Sequence, residues 1–461
     1  MYAERYFQCY LPQNYQEKFI SRPEELGYIY LGPTMFAFAD SIIRKAESAG
    51  INQILFFARD CWLPFIAAEK INKSHNKNIK VAYLQISRKS STGIDLYKPA
   101  DIFKVRIDDF SKDKTFRDLL SARFLLEEKD IPNVDSLNKD ILSKKLRDIT
   151  LAETYSNLYS IIQECWTVLN ERYSTRRILY KQLIETNGIN TNHPVIGIDL
   201  GYKGSIHKKI QSLFKGGLTA YLFMTYTDGY GKDPIKNVNT FFSSNLIPVD
   251  KQLSFLSHNL LFESLVNQSV GTALNIIKNS KSQIEVVLDN SLQFDHRLTI
   301  DKIHNGASQF FDDYLKVRNK FEYEKSIFSI LFGELVKKPT LNEVNILQNL
   351  VFDNSFAGSA NVPFVSLDKN IQQKSKYLWP EGNRLLSKYS LNNGLKIKNK
   401  SKEEPSIKIK TQAKKGLIYK IIEFGVKRTS NERKYNKFVR DPKNYFLDSS
   451  NSLIKQLSKL Y

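Results

Sequence analysis

The stretch that decides the fold class runs from residue 52 to residue 90 and reads NQILFFARDCWLPFIAAEKINKSHNKNIKVAYLQISRKS. Its first part, at 52–60, is a short apolar run with polar residues at its end, which is typical of a buried strand. A helical segment follows at 61–71, and a second apolar run at 78–90 predicts a second buried strand. A strand, a helix and a strand at this spacing form a βαβ unit, so we expect a parallel sheet.

The same pattern returns later in the chain. Residues 193–214 predict a buried strand, a glycine-rich turn and a helix, and residues 217–229 predict a further strand. A helix around 258–280 and a strand at 284–289 are expected to close the sheet. The predicted fold class is therefore α/β, with a parallel, Rossmann-like core.

The remaining segments are helical or basic. A turn at Gly32 and Pro33 is predicted to precede an amphipathic helix, with Gly50 at its C-terminal cap. We predict an N-terminal extension at 1–24, an α/β core made of 25–99 and 190–299, a large helical insertion or cap at 100–189, a helical subdomain at 300–390, and a basic linker with an amphipathic tail at 391–461.

Composition excludes several classes of protein. The chain has 461 residues, 42% hydrophobic and 25% charged, which is typical of a globular protein of two or three units. The three cysteines, Cys9, Cys61 and Cys165, are too few for a disulfide framework and indicate a reducing cytosol. No apolar run approaches the ~20 residues of a membrane span, and we expect no signal peptide. The six histidines form no H-x-x-x-H pair, so zinc is not expected.

Three of the predicted strands end in polar loops. In an open parallel sheet the carboxyl ends of the strands share one edge, and ligands bind in the crevice there. We therefore expect these loops to bring carboxylates, cations and hydroxyl groups together. Their residues are Arg59 and Asp60 after the first strand; Ser87, Arg88 and Lys89 after the second; and Asp199, Gly201, Tyr202, Lys203, Gly204 and Ser205 after the third.

This set of side chains predicts the handling of a phosphate or a sugar phosphate. Asp60 and Asp199 are the candidate catalytic groups, because a carboxylate can hold Mg²⁺ or attack phosphorus. The same two residues are the candidate ligands of Mg²⁺, which is the expected cofactor. The cations and the N–H groups of a helix start can hold phosphate oxygens, and Gly201 and Gly204 let the backbone approach an anion.

Each candidate also has a plainer interpretation. Asp60 could cap the helix that follows it, and the loop at 87–89 could be a solvated surface turn. Glu263, inside an apolar helix, could be a structural partner of one of the cations rather than a catalyst. We interpret Cys61 as a packed small residue and expect His207 at the surface, although it could touch a ligand.

Short motifs occur in a fixed order over roughly residues 25–310: LGYIYLGPTMFAF, ILFFARDCWLPF, AYLQISRKS, VIGIDLGYKGSIHKKI and LLFESLVNQSVGTA. In these motifs the chain resembles predicted hydrolases of the haloacid-dehalogenase-like (HAD) type, which are encoded in gene clusters for bacterial capsule, O-antigen and other surface polysaccharides. The resemblance implies a HAD-like core, a helical stretch between the second and third strand motifs, a supporting role for Tyr202 and Glu263, and glycosyltransferases as partners.

The nucleophile motif of that family is not found in these loops. Its longer members begin with a separate HAD domain that carries Asp-x-Asp, in which the first Asp is the nucleophile and the second the acid/base. We expect the resemblance to begin after that domain. Two residues beyond Asp60 stands Trp62, and two beyond Asp199 stands Gly201; the family's glycine after Arg-Asp is Cys61. The sequence therefore leaves open whether the chain is an enzyme.

The net charge of +20 is concentrated at the C-terminus, with +12 on residues 391–461 and +8 on the rest. The segment KYNKFVRDPKNYFLDSSNSLIKQLSKL resembles the basic segment that ends many capsule-synthesis proteins. Basic residues interleaved with Phe, Tyr and Leu favour an anionic membrane surface, so we expect a cytoplasmic protein, peripheral at the inner face of the cell membrane. Docking on its own domain or on a partner enzyme is the alternative. Nucleic acid is an unlikely partner because no known binding module accompanies the charge.

The leading functional hypothesis combines the crevice with the tail. We expect a protein of surface-polysaccharide biosynthesis that handles a sugar phosphate, a nucleotide sugar or a lipid-linked phosphate, by phosphohydrolysis or by phosphoryl or glycosyl transfer. The alternative is a non-catalytic HAD-like module that recruits glycosyltransferases to the membrane through its tail.

Overall fold

A five-stranded parallel sheet forms the centre of the chain in the computed structural model. The structure describes residues 20–107, 110–131, 140–225, 238–242, 254–290, 292–317, 323, 325–352, 362–368 and 378–392. The chain divides into two units, Met1–Leu395 and Lys396–Tyr461, and every described residue belongs to the first. Residues 1–19 of the predicted N-terminal extension, and the predicted basic tail beyond residue 392, lie outside the described residues.

The strands of the sheet, in chain order, are β1, Gln53–Phe57; β2, Lys80–Leu84; β3, Val195–Asp199; β4, Leu218–Met224; and β5, Val238–Phe242. Their order across the sheet is β2-β1-β3-β4-β5, and each neighbouring pair is parallel. The predicted α/β class with a parallel core is confirmed. Strands β1 and β3 are buried along their whole length, which explains why both read as continuous apolar runs.

Helices lie on both faces of the sheet, and several of them follow one another in the chain between β2 and β3. In chain order they are α1, Pro23–Ser48; α2, Trp62–Ser74; α3, Phe116–Phe124; α4, Asp140–Ser143; α5, Leu151–Glu164; α6, Trp166–Thr186; α7, Ser205–Ile210; α8, Asn259–Val266; α9, Phe294–Val317; α10, Ser326–Lys337; α11, Leu341–Leu347; and α12, Pro380–Asn392. Short 3₁₀ helices lie at Pro99–Lys104, Glu128–Asp130, Leu146–Asp148 and Gln211–Leu213.

The two faces of the sheet bury separate hydrophobic clusters. On β1, Ile54 and Phe56 pack with α1, α2 and the helices from α8 onwards, whereas Leu55 and Phe57 pack with α6 and α7. The alternation follows from the two-residue period of a strand. The helices after residue 294 therefore share one core with the sheet.

The residues between β2 and β3 have a hydrophobic cluster of their own, built from side chains between Leu96 and Tyr173. Helix α6 links this cluster to the sheet. Its first half contributes Leu169 and Tyr173 to this cluster, and its second half contributes Tyr180 and Ile184 to the cluster beneath the sheet. A single helix of 21 residues thus joins the cluster between β2 and β3 to the sheet.

The expected closure of the sheet by residues 284–289 is wrong. The strands at Ala273–Lys278 (β6) and Ile284–Leu288 (β7) pair with each other as an antiparallel hairpin, and the helix predicted at 258–280 ends at Val266. The fifth position of the sheet belongs to β5, which sequence reasoning missed because its first three residues are only half-buried at the sheet edge. A further short pair joins Val351–Phe352 (β8) to Val362–Pro363 (β9).

The turn predicted at Gly32 and Pro33 is also wrong, because α1 runs through both residues. A wide helical turn at Gly27–Leu31 precedes them, and Pro33 lies in the first turn of the regular helix that follows it. The predicted C-terminal end is confirmed: the helix ends at Ser48, and Gly50 has a φ of +64°.

Among the described residues, α1 alone is long and apolar enough to cross a membrane by composition. This departs from the expectation that no apolar run approaches that length. However, 78% of its most apolar window is buried inside the protein, and a core helix passes the same test.

Candidate functional site

The site lies where the chain reverses its direction of travel across the sheet. From β1 the chain moves outwards to β2, and from β3 it moves to the other side, towards β4. Crossover connections on opposite sides leave a crevice outside the carboxyl ends of the two central strands, where ligands bind in doubly wound folds. The loops after β1 and β3 border this position, and the loop after β2 is beside them.

Asp60 occupies the loop after β1 and is half-buried. The helix-cap interpretation is wrong: the residue at the N-terminal cap of α2 is Cys61, without a capping hydrogen bond from its side chain. Asp60 Oδ1 instead accepts the N–H of Arg59 at 3.1 Å. Burial raises the pKa of Asp60, and the charges of Arg59 and Arg88 oppose that rise.

Asp199 is the last residue of β3 and is only 6% exposed. Burial holds its pKa well above the usual range, and the negative charge of Asp60 raises it further. Electrostatic interaction of this kind requires the two carboxyl groups to be close together. The structure therefore brings together the two carboxylates that the sequence singled out.

Glu263 joins this pair from α8. Burial raises its pKa to about 7, the charge of Asp60 acts in the same direction, and the neighbouring Tyr202 side chain opposes the rise. Its charge in turn raises the pKa of Asp199. Glu263 is therefore a neighbour of both carboxylates as well as of the cations.

Arg59 and Arg88 are the cations that act on these carboxyl groups. Both lower the pKa of Asp60 and Glu263, and Arg88 also lowers that of Asp199. One nitrogen of the Arg59 guanidinium group donates to the carbonyl of Val270 at 3.3 Å, while Arg88 is exposed. Two guanidinium groups thus lie at the edge of the carboxylate group.

The other two predicted cations, Lys89 and Lys203, have exposed side chains. The Lys89 carbonyl accepts a hydrogen bond from Arg176 at 3.1 Å, so its backbone helps to hold the loop. The positive charges that lower the pKa of Asp60 and Glu263 are those of the two arginines, Arg59 and Arg88.

The hydroxyl group of Ser87 takes part in the folding of its own loop. Its oxygen donates to the carbonyl of Ala273 at 2.5 Å and accepts the N–H groups of Lys89 and Ser90, each at 3.1 Å. Tyr180 donates to the Ser90 hydroxyl at 2.6 Å. These bonds fix the residues on both sides of Arg88, and they therefore fix the position of its backbone.

Two glycines of the loop after β3 occupy positions that a larger residue would not fit. Gly201 has a φ of +148°, and a Cβ there would come within 2.3 Å of the Met224 carbonyl oxygen. Gly204 is left-handed, with a φ of +58°, and precedes α7. Ser205 is exposed at the start of this helix, which has only six residues.

Sequence reasoning missed Gln268, which joins the first two loops. Its N–H donates to the Arg59 carbonyl at 3.0 Å, and its Oε1 accepts the Tyr83 hydroxyl at 3.1 Å and Gln85 Nε2 at 3.0 Å. Its signal in the sequence was a polar Asn-Gln-Ser run directly after an apolar helix. Gln268 thus couples the end of β2 to the Asp60 loop.

Cys61 and His207 are both buried. Cys61 is fully buried, its Sγ lies 3.5 Å from the Ile198 carbonyl oxygen, and burial holds its pKa well above the usual range. Its interpretation as a packed residue is confirmed. The expectation that His207 lies at the surface is wrong, because its side chain is only 1% exposed. Its ring centre lies 4.7 Å from that of Phe57, and its Nε2 lies 2.8 Å from the Gly197 carbonyl oxygen.

The donor set can be compared with the needs of Mg²⁺. Across the described part of the chain, no group of three or more His, Cys, Asp or Glu side chains could hold a metal ion. Mg²⁺ is usually bound through one or two carboxylates, with waters and substrate phosphates completing its shell. Asp60 and Asp199 fit that mode of binding, and they do not fit a zinc site.

Comparison of the sequence with models of known protein families finds no match. Comparison with curated proteins also finds no match.

Proposed function

We propose that the crevice at the ends of β1 and β3 binds a phosphorylated sugar, a nucleotide sugar or a lipid-linked phosphate, and transfers or hydrolyses its phosphoryl group. The observation that supports this most directly is the pair of carboxyls of Asp60 and Asp199, whose pKa values are raised by burial and, at Asp199, by the charge of its neighbour. A fold gains no stability from like charges held in a buried site, whereas a ligand site needs them.

Each residue has a role in this proposal. Asp60 and Asp199 would hold Mg²⁺, which when bound neutralises the charge of the phosphoryl group. Arg59 and Arg88 would donate to its oxygens, because a guanidinium group matches phosphate geometry. Glu263, with a pKa of about 7, can give a proton to the leaving oxygen at neutral pH.

Binding of a defined ligand tests the proposal. The full chain is titrated calorimetrically with glucose 1-phosphate and with UDP-glucose, with and without Mg²⁺. We expect binding that Mg²⁺ strengthens, and a loss of about tenfold or more in Asp60→Asn and in Asp199→Asn. Asp312→Asn is the matched control, since its carboxylate pairs with Lys70 and is 45% exposed. Wild-type affinity in both crevice variants would exclude the crevice and favour the scaffolding alternative.

The HAD-like assignment, the use of the insertion as a cap and the polysaccharide pathway are part of the same proposal and rest on the sequence motifs. We also propose that residues 391–461 hold the chain on the anionic inner face of the membrane, near glycosyltransferases. Co-sedimentation with vesicles containing phosphatidylglycerol tests this separately. We expect salt-sensitive binding by the full chain and none by a variant that lacks 413–461.

A further inference from the structure

The loop after β2 is held by two cations that come from different helices. Lys209 Nζ, on α7, donates to the carbonyl oxygen of Arg88 at 2.9 Å. The guanidinium group of Arg176, on α6, donates to the next two carbonyl oxygens, those of Lys89 at 3.1 Å and Ser90 at 2.9 Å. Hydrogen bonds from a charged donor are stronger than those between neutral groups. Three consecutive carbonyl groups of this loop are thus bound by charged side chains.

Helix α6 also holds other residues between β2 and β3. One turn before Arg176, the guanidinium group of Arg172 donates to the two carboxylate oxygens of Asp130 at 2.6 and 2.7 Å. It also donates to the Leu125 carbonyl oxygen at 2.7 Å. The same helix therefore connects this part of the chain to the loop that carries Arg88.

Lys209 connects the loop to the other side of the crevice. It lies on α7, the helix that follows the loop of Asp199. Its bond to the Arg88 carbonyl therefore joins the loop after β2 to the helix after β3, although β1 separates these two strands in the sheet. Arg176 adds a bond to Asn275 Oδ1, on β6, at 2.7 Å. The loop is therefore held against α6, α7 and the hairpin.

The fold alone gives little reason for this use of Arg176. An exposed turn usually satisfies its carbonyl groups with water, and Arg88 and Lys89 are both exposed. Arg176 is only 8% exposed, burial lowers its pKa, and its three acceptors are all neutral. Burying a cation costs free energy, which neutral acceptors offset only in part. Such an arrangement suits a loop whose position matters for function.

The side chain that this loop presents is that of Arg88. It is exposed, and its charge acts on the carboxyl groups of Asp60, Asp199 and Glu263. When an arginine on a loose loop binds a phosphate, the loss of backbone and side-chain freedom weakens binding. A loop that is already fixed has lost its backbone freedom before the ligand arrives, so Arg88 binds at a lower entropic cost.

We propose that Arg176 and Lys209 are positioning residues of the crevice, which hold the loop after β2 so that Arg88 is directed towards the phosphate of the ligand. The inference rests on the proposed function, in which Arg88 donates to the phosphoryl oxygens. Arg176 and Lys209 act through the backbone of the loop, and neither has to touch the ligand. The affinity of the crevice for a phosphate therefore depends on two side chains of the helices α6 and α7.

A double-mutant cycle tests these roles, in calorimetric titrations of the full chain with glucose 1-phosphate and Mg²⁺. Lys209→Met removes the bond to the loop and should weaken binding about fivefold, and Arg88→Gln should weaken it about tenfold. In the Arg88→Gln background, Lys209→Met should change the affinity by less than about twofold, because it acts through Arg88. A loss that came only from a less stable fold would be the same whether or not residue 88 is arginine. Lys181→Met is the matched control and should bind as the wild type does, since its ammonium group lies 3.9 Å from the carboxylate of Glu185 on α6.

Arg176→Lys tests the second positioning residue in the same cycle. The single nitrogen of a lysine replaces the two guanidinium nitrogens that bond to the loop and to Asn275. We therefore expect weaker binding when residue 88 is arginine and no further loss in the Arg88→Gln background. Circular dichroism shows whether each variant is folded, and Lys209→Met alone decides the proposal if Arg176→Lys does not fold.

The outcomes separate this inference from the proposed function. Unchanged affinity in Lys209→Met, or an equal loss in both backgrounds, overturns the positioning roles and leaves the crevice in place. Wild-type affinity in Arg88→Gln also overturns them, because there is then no arginine for the loop to direct. If the wild type binds neither glucose 1-phosphate nor UDP-glucose, the proposed function is wrong and the inference fails with it.

Discussion

Asp199 shows what a single residue contributes at the end of a buried strand. Its carboxylate lies beside that of Asp60 in surroundings that disfavour charge, so its ionised form makes the folded state less stable. We therefore expect Asp199→Asn to increase the free energy of unfolding by about 1 kcal/mol at pH 7, although it should weaken the proposed ligand binding by about tenfold or more. An amide is nearly isosteric and can still accept the Leu200 N–H. Urea denaturation at pH 7 measures the change.

Asp101 provides the contrasting case. It is equally buried, at 4% exposed, but accepts the N–H groups of Tyr97 at 2.8 Å and Lys98 at 3.1 Å, and it pairs with Lys104. Asp101→Asn should therefore lower the free energy of unfolding by about 1 kcal/mol. If Asp199→Asn lowers stability to the same extent, Asp199 is a structural residue, and the crevice loses its main support.

Tyr202 tunes the third carboxyl group of the site. Its hydroxyl group favours the ionised form of Glu263, while burial and the charge of Asp60 favour the neutral form. Removing the hydroxyl group in Tyr202→Phe should therefore raise the pKa of Glu263 above about 7. A carbon-detected NMR titration of labelled glutamate side chains measures it. A pKa that stays constant or falls would show that the tyrosine does not bond to this carboxylate.

Close packing between elements is clearest where α1 crosses α9. A Cβ on Gly27 would come within 1.7 Å of the Ile303 carbonyl oxygen, and backbone cannot move aside as a flexible side chain can. We expect Gly27→Ala to cost about 3 kcal/mol of unfolding free energy or more. Gly50→Ala is the matched control: its site is open but has a φ of +64°, so only about 1 kcal/mol is at stake. Similar losses in both variants would mean that the helices separate to admit a methyl group.

The same elements show how far sequence reasoning reaches. Strands β1 and β3 were predictable because burial on both faces produces unbroken apolar runs. The ends of these two strands could therefore be located in the sequence, and Asp60 and Asp199 were identified there. The hairpin of β6 and β7 has similar local sequence, and only its partners reveal that it lies outside the sheet. The path of α1 through Pro33 was likewise hidden, because it depends on the wide turn at Gly27–Leu31. The role of Gln268 depends on contacts with loops almost two hundred residues away.

Stability of the whole molecule should depend on acidity through two buried histidines on opposite faces of the sheet. His207 and His304 are 1% and 7% exposed, and each has Nε2 within 2.9 Å of a backbone carbonyl oxygen. Burial lowers the pKa of each to about 4 from an ordinary value of 6.5. Between these two values the unfolded chain takes up protons that the folded chain excludes. Each histidine therefore has no effect on the free energy of unfolding above pH 6.5 and lowers it progressively as the pH falls from 6.5 towards 4.

The variant that isolates this effect is His304→Gln, since His304 lies on α9 and its ring bonds to the Leu265 carbonyl. A shift of this size corresponds to about 3 kcal/mol between pH 6.5 and pH 4. Glutamine can donate to the same carbonyl and takes up no proton, so the variant should lose about that much less stability than the wild type over this range. Urea denaturation at half-unit steps of pH gives both curves. Parallel curves would mean that His304 is protonated in the folded chain and has found a partner for its charge.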